Sequence, residues 1–272
     1  MPNRVNAEKP VGVFDSGLGG LTVLSAIQEK LPNENLIYFG DTARVPYGSK
    51  SKETVIKYSL EILDFLLEKK VKMIVAACNT VSAYAIEEMR KKSSVPVIGV
   101  IEPCVKTVSQ KAPENEKIAV IATKSTIKSG AYEKLLKKVR PDVYLFSKAA
   151  PLFVPLVEEG FSEKAVTEEI IKEYLDEISK EKIKHIILGC THYPLLKKTI
   201  KRIYPEFILY DSSIETALFL ELKLKENQLQ SQNKAAGQIE LFVSDVTDSL
   251  YDLEKLFFGK TIDRIEKVLL GW

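Results

Sequence analysis

The segment KVKMIVAAC at residues 70–78 aligns without a gap on KIKHIILGC at residues 182–190. A chain that repeats one apolar run, each time ending in a small residue and a cysteine, is expected to hold two copies of one structural unit, with a cysteine at the same place in each. A shorter correspondence lies upstream: VGVFDS at 11–16 faces IAVIAT at 118–123, again an apolar run that stops at a hydroxyl residue. The runs at 11–14, 36–39, 73–77, 97–101, 118–121, 143–146 and 186–188 are short and apolar throughout, the pattern of strands buried on both faces of a parallel sheet. Between them lie helical patterns such as 54–68, where Val55, Tyr58, Ile62, Phe65 and Leu66 build a broad apolar face. Alternating strands and helices imply an α/β fold. Periodicity alone fits one (β/α)₈ barrel or two doubly wound units, and the duplication favours the second.

Composition narrows the function. The 272 residues stand near the length at which one core gives way to two, and 45% hydrophobic content excludes a disordered chain. With 39 Lys+Arg against 37 Asp+Glu there is no basic surplus for a run of phosphates, which argues against nucleic acid as principal ligand. Residues 1–10 are polar, and no apolar stretch reaches the length of a bilayer span, so a cytoplasmic protein without membrane contact is expected. Cys78, Cys104 and Cys190 are widely spaced with no CxxC pair, which fits neither a disulfide framework nor a zinc site. Near the end, 227–238 reads as a solvated loop, 239–243 as a strand, and the region around Leu250 as a helix.

Taken singly, each cysteine reads as a small buried hydrophobe. Cys78 and Cys190 differ because the repeat puts both at the carboxyl end of a parallel strand, the edge where open α/β sheets bind ligands. Asn79 and Thr80 in one copy, Thr191 and His192 in the other, would open a helix whose free N–H groups attract anions and lower a thiol pKa. Two thiols facing one cleft suit proton removal from one face of a carbon and delivery to the other, which is racemisation or epimerisation. Such chemistry needs donors for a carboxylate and an anion for an ammonium group, and Asp15 and Ser16 are suitably placed. The turn DSGLGGLTV at 15–23 lacks the spacing of a phosphate loop, so Gly17, Gly19 and Gly20 serve a tight turn or close approach. Cys104 in EPCVK belongs to neither cysteine box and reads as packing, as does His185, which faces Met73 in the repeat.

FDSGLGGLTV at 14–23, FGDTARVPYGSKS at 39–51, VAACNT at 75–80, FVPLVEEG at 153–160 and LGCTHYPLL at 188–196 together resemble glutamate racemase, a family of cofactor-independent amino-acid racemases. The resemblance runs from residue 11 to about 215 and is specific as a set. It implies two pseudo-symmetric doubly wound α/β domains with mainly parallel sheets and the active site in the cleft between them. The second domain, 99–211, is inserted in a first made of 1–98 plus 212–272. It further implies that Cys78 and Cys190 are the acid/base pair, serving D- and L-glutamate respectively. Asp15, Ser16, Tyr47, Gly48, Asn79, Thr80, Thr191 and His192 match substrate-holding positions, Asp15 for the ammonium group and His192 also as a tuner of its neighbouring thiol. Asp41 and Glu158 match acidic positions that orient a base or balance charge. No cofactor or metal is implied, the partner is a small-molecule substrate, and homodimers are usual in the family. The product would be D-glutamate for peptidoglycan. Ala150 departs from the polar or thiol residue expected before PLFVPLVEE, a matter of local packing. Aspartate racemase is the nearest rival, and a non-catalytic two-domain protein that closes on an amino acid is the rival from another class.

Overall fold

The computed structural model describes residues 4–246 and 265–271. Among the described residues ten strands form two separate sheets: β1 (Val11–Asp15), β2 (Leu36–Gly40), β3 (Met73–Ala76), β4 (Val97–Gly99), β9 (Ile239–Val243) and β10 (Ile265–Lys267) in one, β5 (Lys117–Ala122), β6 (Tyr144–Ala149), β7 (His185–Gly189) and β8 (Ile208–Asp211) in the other. The strand orders are β10-β9-β2-β1-β3-β4 and β6-β5-β7-β8, with every pairing parallel. A barrel is excluded. Within the first sheet, β2-β1-β3-β4 repeats the order β6-β5-β7-β8 of the second, so β1 and β5 are equivalent central strands and β3 and β7 equivalent cysteine strands.

The duplication extends to the backbone. The helices Lys52–Glu68 and Ala165–Lys180 both precede a cysteine strand and end alike: Lys70 and Lys182 adopt left-handed φ of 58° and 59°. Their amides reach back to the carbonyls of Leu67 and Ser179 (2.9 Å each), and the next amides, of Val71 and Ile183, to Leu66 and Ile178. This paired closure satisfies carbonyls that a helix end would otherwise leave bare. The same cap turns both chains into a strand.

Each sheet is covered on both faces. Leu21, Leu24, Ile27, Leu220 and Leu224 pack on one face of the first sheet, Ile62, Leu63 and Leu66 on the other. The second sheet is covered by Ile171, Leu175 and Ile200 on one side and by Val105, Val108 and Leu136 on the other. Helix Ser212–Glu226, capped by Asp211 through the Ser213 amide at 2.9 Å, carries the chain back onto the first sheet, where β9 joins β2. The intervening loop is largely solvated as expected, yet it is anchored: Gly237 donates to Pro32 O at 2.8 Å and Ser231 N to Glu34 Oε1 at 2.8 Å.

Several boundaries differ from the sequence expectation. The strand expected over 97–101 ends at Gly99, because the amide of Val100 is taken by Ser82 Oγ at 3.0 Å and helix Ile101–Lys111 begins, with Pro103 tolerated in its first turn. Helix 54–68 starts two residues earlier, at Lys52, with Ser51 as its cap. β6 runs to Ala149, and β8 and β10 were not expected at all. β8 and β10 are edge strands with half-exposed patterns, which a search for buried apolar runs passes over, whereas β6, also an edge strand, was legible in the run 143–146. The helix expected near Leu250 lies outside the described residues. Among the described residues no helix is long and apolar enough to cross a membrane.

Candidate active site

The carboxyl ends of β1, β3, β5 and β7 converge on one cavity of ≈ 600 Å³. Ser16, Tyr47, Gly48, Cys78, Asn79, Thr80, Glu158, Cys190, Thr191 and His192 all line it, so the two halves of the repeat contribute their cysteines to one space. Both thiols are buried and free. The first is followed by helix Asn79–Tyr84, the second by the 3₁₀ turn Tyr193–Leu196 and helix Lys197–Ile203.

Cys78 stands in an anionic neighbourhood. Its Sγ donates to Ser16 Oγ at 3.6 Å, and burial together with the nearby Asp15 charge pushes its pKa up to about 12, against a smaller lowering by the Val81 amide and Ser16. The expected lowering by the following helix is present through the Val81 amide but is outweighed. A six-residue helix whose Val81 N–H meets the sulfur does not offset full desolvation plus an adjacent carboxylate.

Cys190 has the opposite surroundings. His192 Nδ1 lies 3.8 Å from its Sγ, and His192 Nε2 lies 3.1 Å from Glu158 Oε1. Burial alone would lower the imidazole, but hydrogen bonds to the Cys190 sulfur and the Glu158 carboxylate, reinforced by their charge, raise its pKa to about 10. His192 is thus an imidazolium across the neutral range. A sulfur, an imidazolium and a carboxylate in a row form a partner chain for a thiolate.

Two acidic residues fall elsewhere than expected. Asp15 ends β1 but does not line the cavity: it is 1% exposed, behind Ser16. Its Oδ2 accepts from the amides of Gly17 and Gly20 (3.1 Å each), while Oδ1 is buried without a partner. Burial raises its pKa, opposed by the charge of His192 and by those amides. The turn closes over Oδ2, and the carboxyl group stands behind the cavity wall. Asp41 is also fully buried outside the cavity wall. It accepts from Arg44 Nε at 2.8 Å, from Ser244 Oγ at 2.8 Å and from the Tyr47 hydroxyl. Asp41 therefore fixes Tyr47 in the wall, and burial and that carboxylate push the Tyr47 phenol up.

The glycine turn is explained by crowding. Neither Gly19 nor Gly20 has positive φ; a Cβ on Gly19 would lie 2.4 Å from the His192 ring, and one on Gly20 2.5 Å from Asp15 Cβ. The turn of one unit packs directly on the cysteine loop of the other.

Sequence reasoning missed part of the wall. Thr123 lines it at the end of β5, with Lys124, Ser125 and Lys128 in the following helix and Pro151, Val154 and Pro155 opposite. Thr123 was within reach of the repeat, being the hydroxyl that faces Ser16. Thr80, Thr123 and Thr126 form a hydroxyl cluster with separations of 3.0–3.4 Å, and Ser125 Oγ donates to Gly48 O at 2.7 Å, stitching the two units together beside the cavity. His185 and Cys104 are packing residues as expected: His185 Nδ1 meets Tyr210 OH at 2.7 Å between buried strands, and Cys104 is 0% exposed in the second core. Ala150 is fully buried, its carbonyl accepting from Tyr193 OH at 2.8 Å. No group of three or more His, Cys, Asp or Glu side chains among the described residues is arranged to hold a metal.

Residues 16–213 match the family model described as Asp/Glu/Hydantoin racemase. The glutamate racemase of Aquifex pyrophilus is 49% identical over 92% of this chain and 94% of its own, and that of Neisseria meningitidis 43% over 98% and 99%. Among solved structures, the glutamate racemase of Francisella tularensis in complex with D-glutamate superposes with a TM-score of 0.90 at 37% identity, covering 96% of this chain and 98% of that one.

Proposed function

The chain belongs to the Asp/Glu/hydantoin racemase family, alongside the glutamate racemases, and from that premise we propose that it interconverts L- and D-glutamate by a cofactor-independent two-base mechanism. The observation that carries the proposal is that Cys78 and Cys190, at equivalent strand ends of two different sheets, line one cavity. Membership makes the chain an isomerase; glutamate as substrate, the roles of the residues and the setting are proposed.

In the L-to-D direction Cys190, paired with the His192 imidazolium, removes the Cα proton as thiolate. Cys78, held as a thiol by burial and Asp15, delivers a proton to the opposite face. The electron pair released at Cα spreads into the adjacent carboxylate, whose growing charge is met by donors from Asn79, Thr80 and Thr191. Reversal uses the same groups in exchanged roles. Glu158 orients His192, Tyr47 and Gly48 shape the wall with Ser16, and Asp15 biases Cys78. The division into 1–98 plus 212–272 and 99–211 is proposed as the domain structure, since the core of each sheet draws mainly on its own segment. A homodimer, the cytoplasm and supply of D-glutamate to peptidoglycan complete the proposal on family resemblance.

Circular dichroism of purified, reduced protein with L-glutamate or L-aspartate, without added cofactor, tests it. Decay of the glutamate signal with aspartate unchanged supports glutamate racemisation. Decay with aspartate alone would move the assignment to the rival substrate, and decay with neither would favour a binding protein.

A further inference from the structure

Between the two cysteine loops stands a side chain that none of the sequence motifs contains. Tyr132 stands in the first turn of Ala131–Val139, the second helix after β5, is 3% exposed, and donates its hydroxyl to Asn79 Oδ1 at 2.7 Å. Asn79 follows Cys78 directly and lines the cavity, and its Nδ2 is buried with no hydrogen-bond partner. An amide in that state would ordinarily turn until both ends were satisfied. Here a flip would set Nδ2 against the phenol, whose proton needs an acceptor. Burial pushes the Tyr132 phenol well up, so that proton stays in place. The amide is locked with its oxygen spent and its donor reserved.

The same ring touches the other cysteine loop: a Cβ on Gly189, the residue before Cys190, would lie 3.2 Å from Tyr132 Cε2. A counterpart contact runs the other way. Thr22, in the helix Leu21–Lys30 that follows β1, points its hydroxyl at the carbonyl of Thr191, 3.0 Å away, sharing its proton with Gly19 O at 2.8 Å. In each unit a side chain from the crossover after the central strand therefore clasps the residue that follows the other unit's cysteine.

We propose that Tyr132 is a positioning residue of the racemisation site, fixing the Asn79 amide so that Nδ2 is presented to a substrate carboxylate. The inference rests on the proposal that the cavity binds an amino acid. Tyr132→Phe keeps the ring on Gly189 and removes only the hydroxyl. KM for both enantiomers then rises roughly tenfold and kcat falls with it, because the amide donor both holds the carboxylate and meets the charge that grows on it in the transition state. In an Asn79→Ala background the same change has no further effect on KM, because Tyr132 acts through that amide. An unaltered KM, or an equal increase with and without the Asn79 side chain, overturns the proposal.

NMR of the Asn79 side-chain amide in the ligand-free protein supplies a readout independent of turnover. Its signals shift in Tyr132→Phe if the clasp holds, and an unshifted pair overturns it. Should the wild type racemise neither glutamate nor aspartate, the functional proposal falls, and the amide signals alone decide the clasp.

Discussion

The two cysteine sites share a backbone and differ in charge. Each thiol ends the strand beside the central one, after a helix closed by the same left-handed lysine cap. Around Cys78 the duplication left a serine and a buried carboxylate; around Cys190 it left an imidazolium anchored by Glu158. Equal geometry with unequal electrostatics is what the proposed scheme asks of one fold that must hold an acid and a base of the same chemical kind. Duplication supplies the symmetry that a racemase needs, since its two substrates are mirror images, and a few side chains break it.

The comparison breaks most visibly when either thiol is removed. Cys78→Ala and Cys190→Ala are each expected to lower racemisation from both enantiomers by at least about a thousandfold, measured by circular dichroism, because every turnover uses both groups. Robust turnover in either variant would contradict the two-base scheme.

His192→Asn removes the imidazolium from one half only. Its kcat/KM should fall roughly a hundredfold, and by equal factors in both directions, since enantiomers have equal free energy and the two ratios are tied. In the wild type the His192 pKa is raised from 6.5 to about 10, so its charge is present at neutral pH and is lost as pH rises through that value. Activity should therefore decline above about pH 10, and that limb should move in His192→Asn. An unchanged profile would remove His192 from the mechanism.

A subtler effect lies in how the tied ratio divides. With Cys78 facing D-glutamate and resting as a thiol, D-glutamate must bind a minor protonation form. KM for D-glutamate should then exceed that for L-glutamate, with kcat greater by the same factor. Asp15→Asn, which withdraws the charge raising the Cys78 pKa, should narrow the difference. A larger KM for L-glutamate would reverse the assignment of resting protons. Least affected of all should be Cys104→Ala: turnover unchanged, with a stability loss of about 1 kcal/mol in denaturant unfolding for the lost packing volume.

How much of this was visible in the chain follows from what repeats and what is buried. The strands β1, β3, β5 and β7 are buried along nearly their whole length, and so read directly as apolar runs. Edge strands β8 and β10 carry half-exposed residues and lack that signal. The cysteine boxes stood out because they occur twice in one chain. Thr22 and Tyr132 did not, since a hydroxyl that reaches across two units has no local pattern. The partners of Asp15 and Asp41 were illegible for a related reason: sequence shows a carboxylate beside a strand end, and only packing shows that glycine amides hold Asp15 Oδ2 and that Arg44 and Tyr47 hold Asp41. The raised Cys78 pKa likewise depends on desolvation, a property of the assembled core.

The proposed scheme of two opposed thiols is tested most directly by incubating the protein with L-glutamate in D₂O and following Cα deuterium by NMR at early times. Deuterium should appear in D-glutamate while recovered L-glutamate stays unlabelled, because the proton delivered by Cys78 has exchanged with solvent whereas the one taken by Cys190 belongs to the other face. Early label in recovered L-glutamate, at a rate matching racemisation, would mean a single base or a shared proton pool and would contradict the division of labour between the two halves.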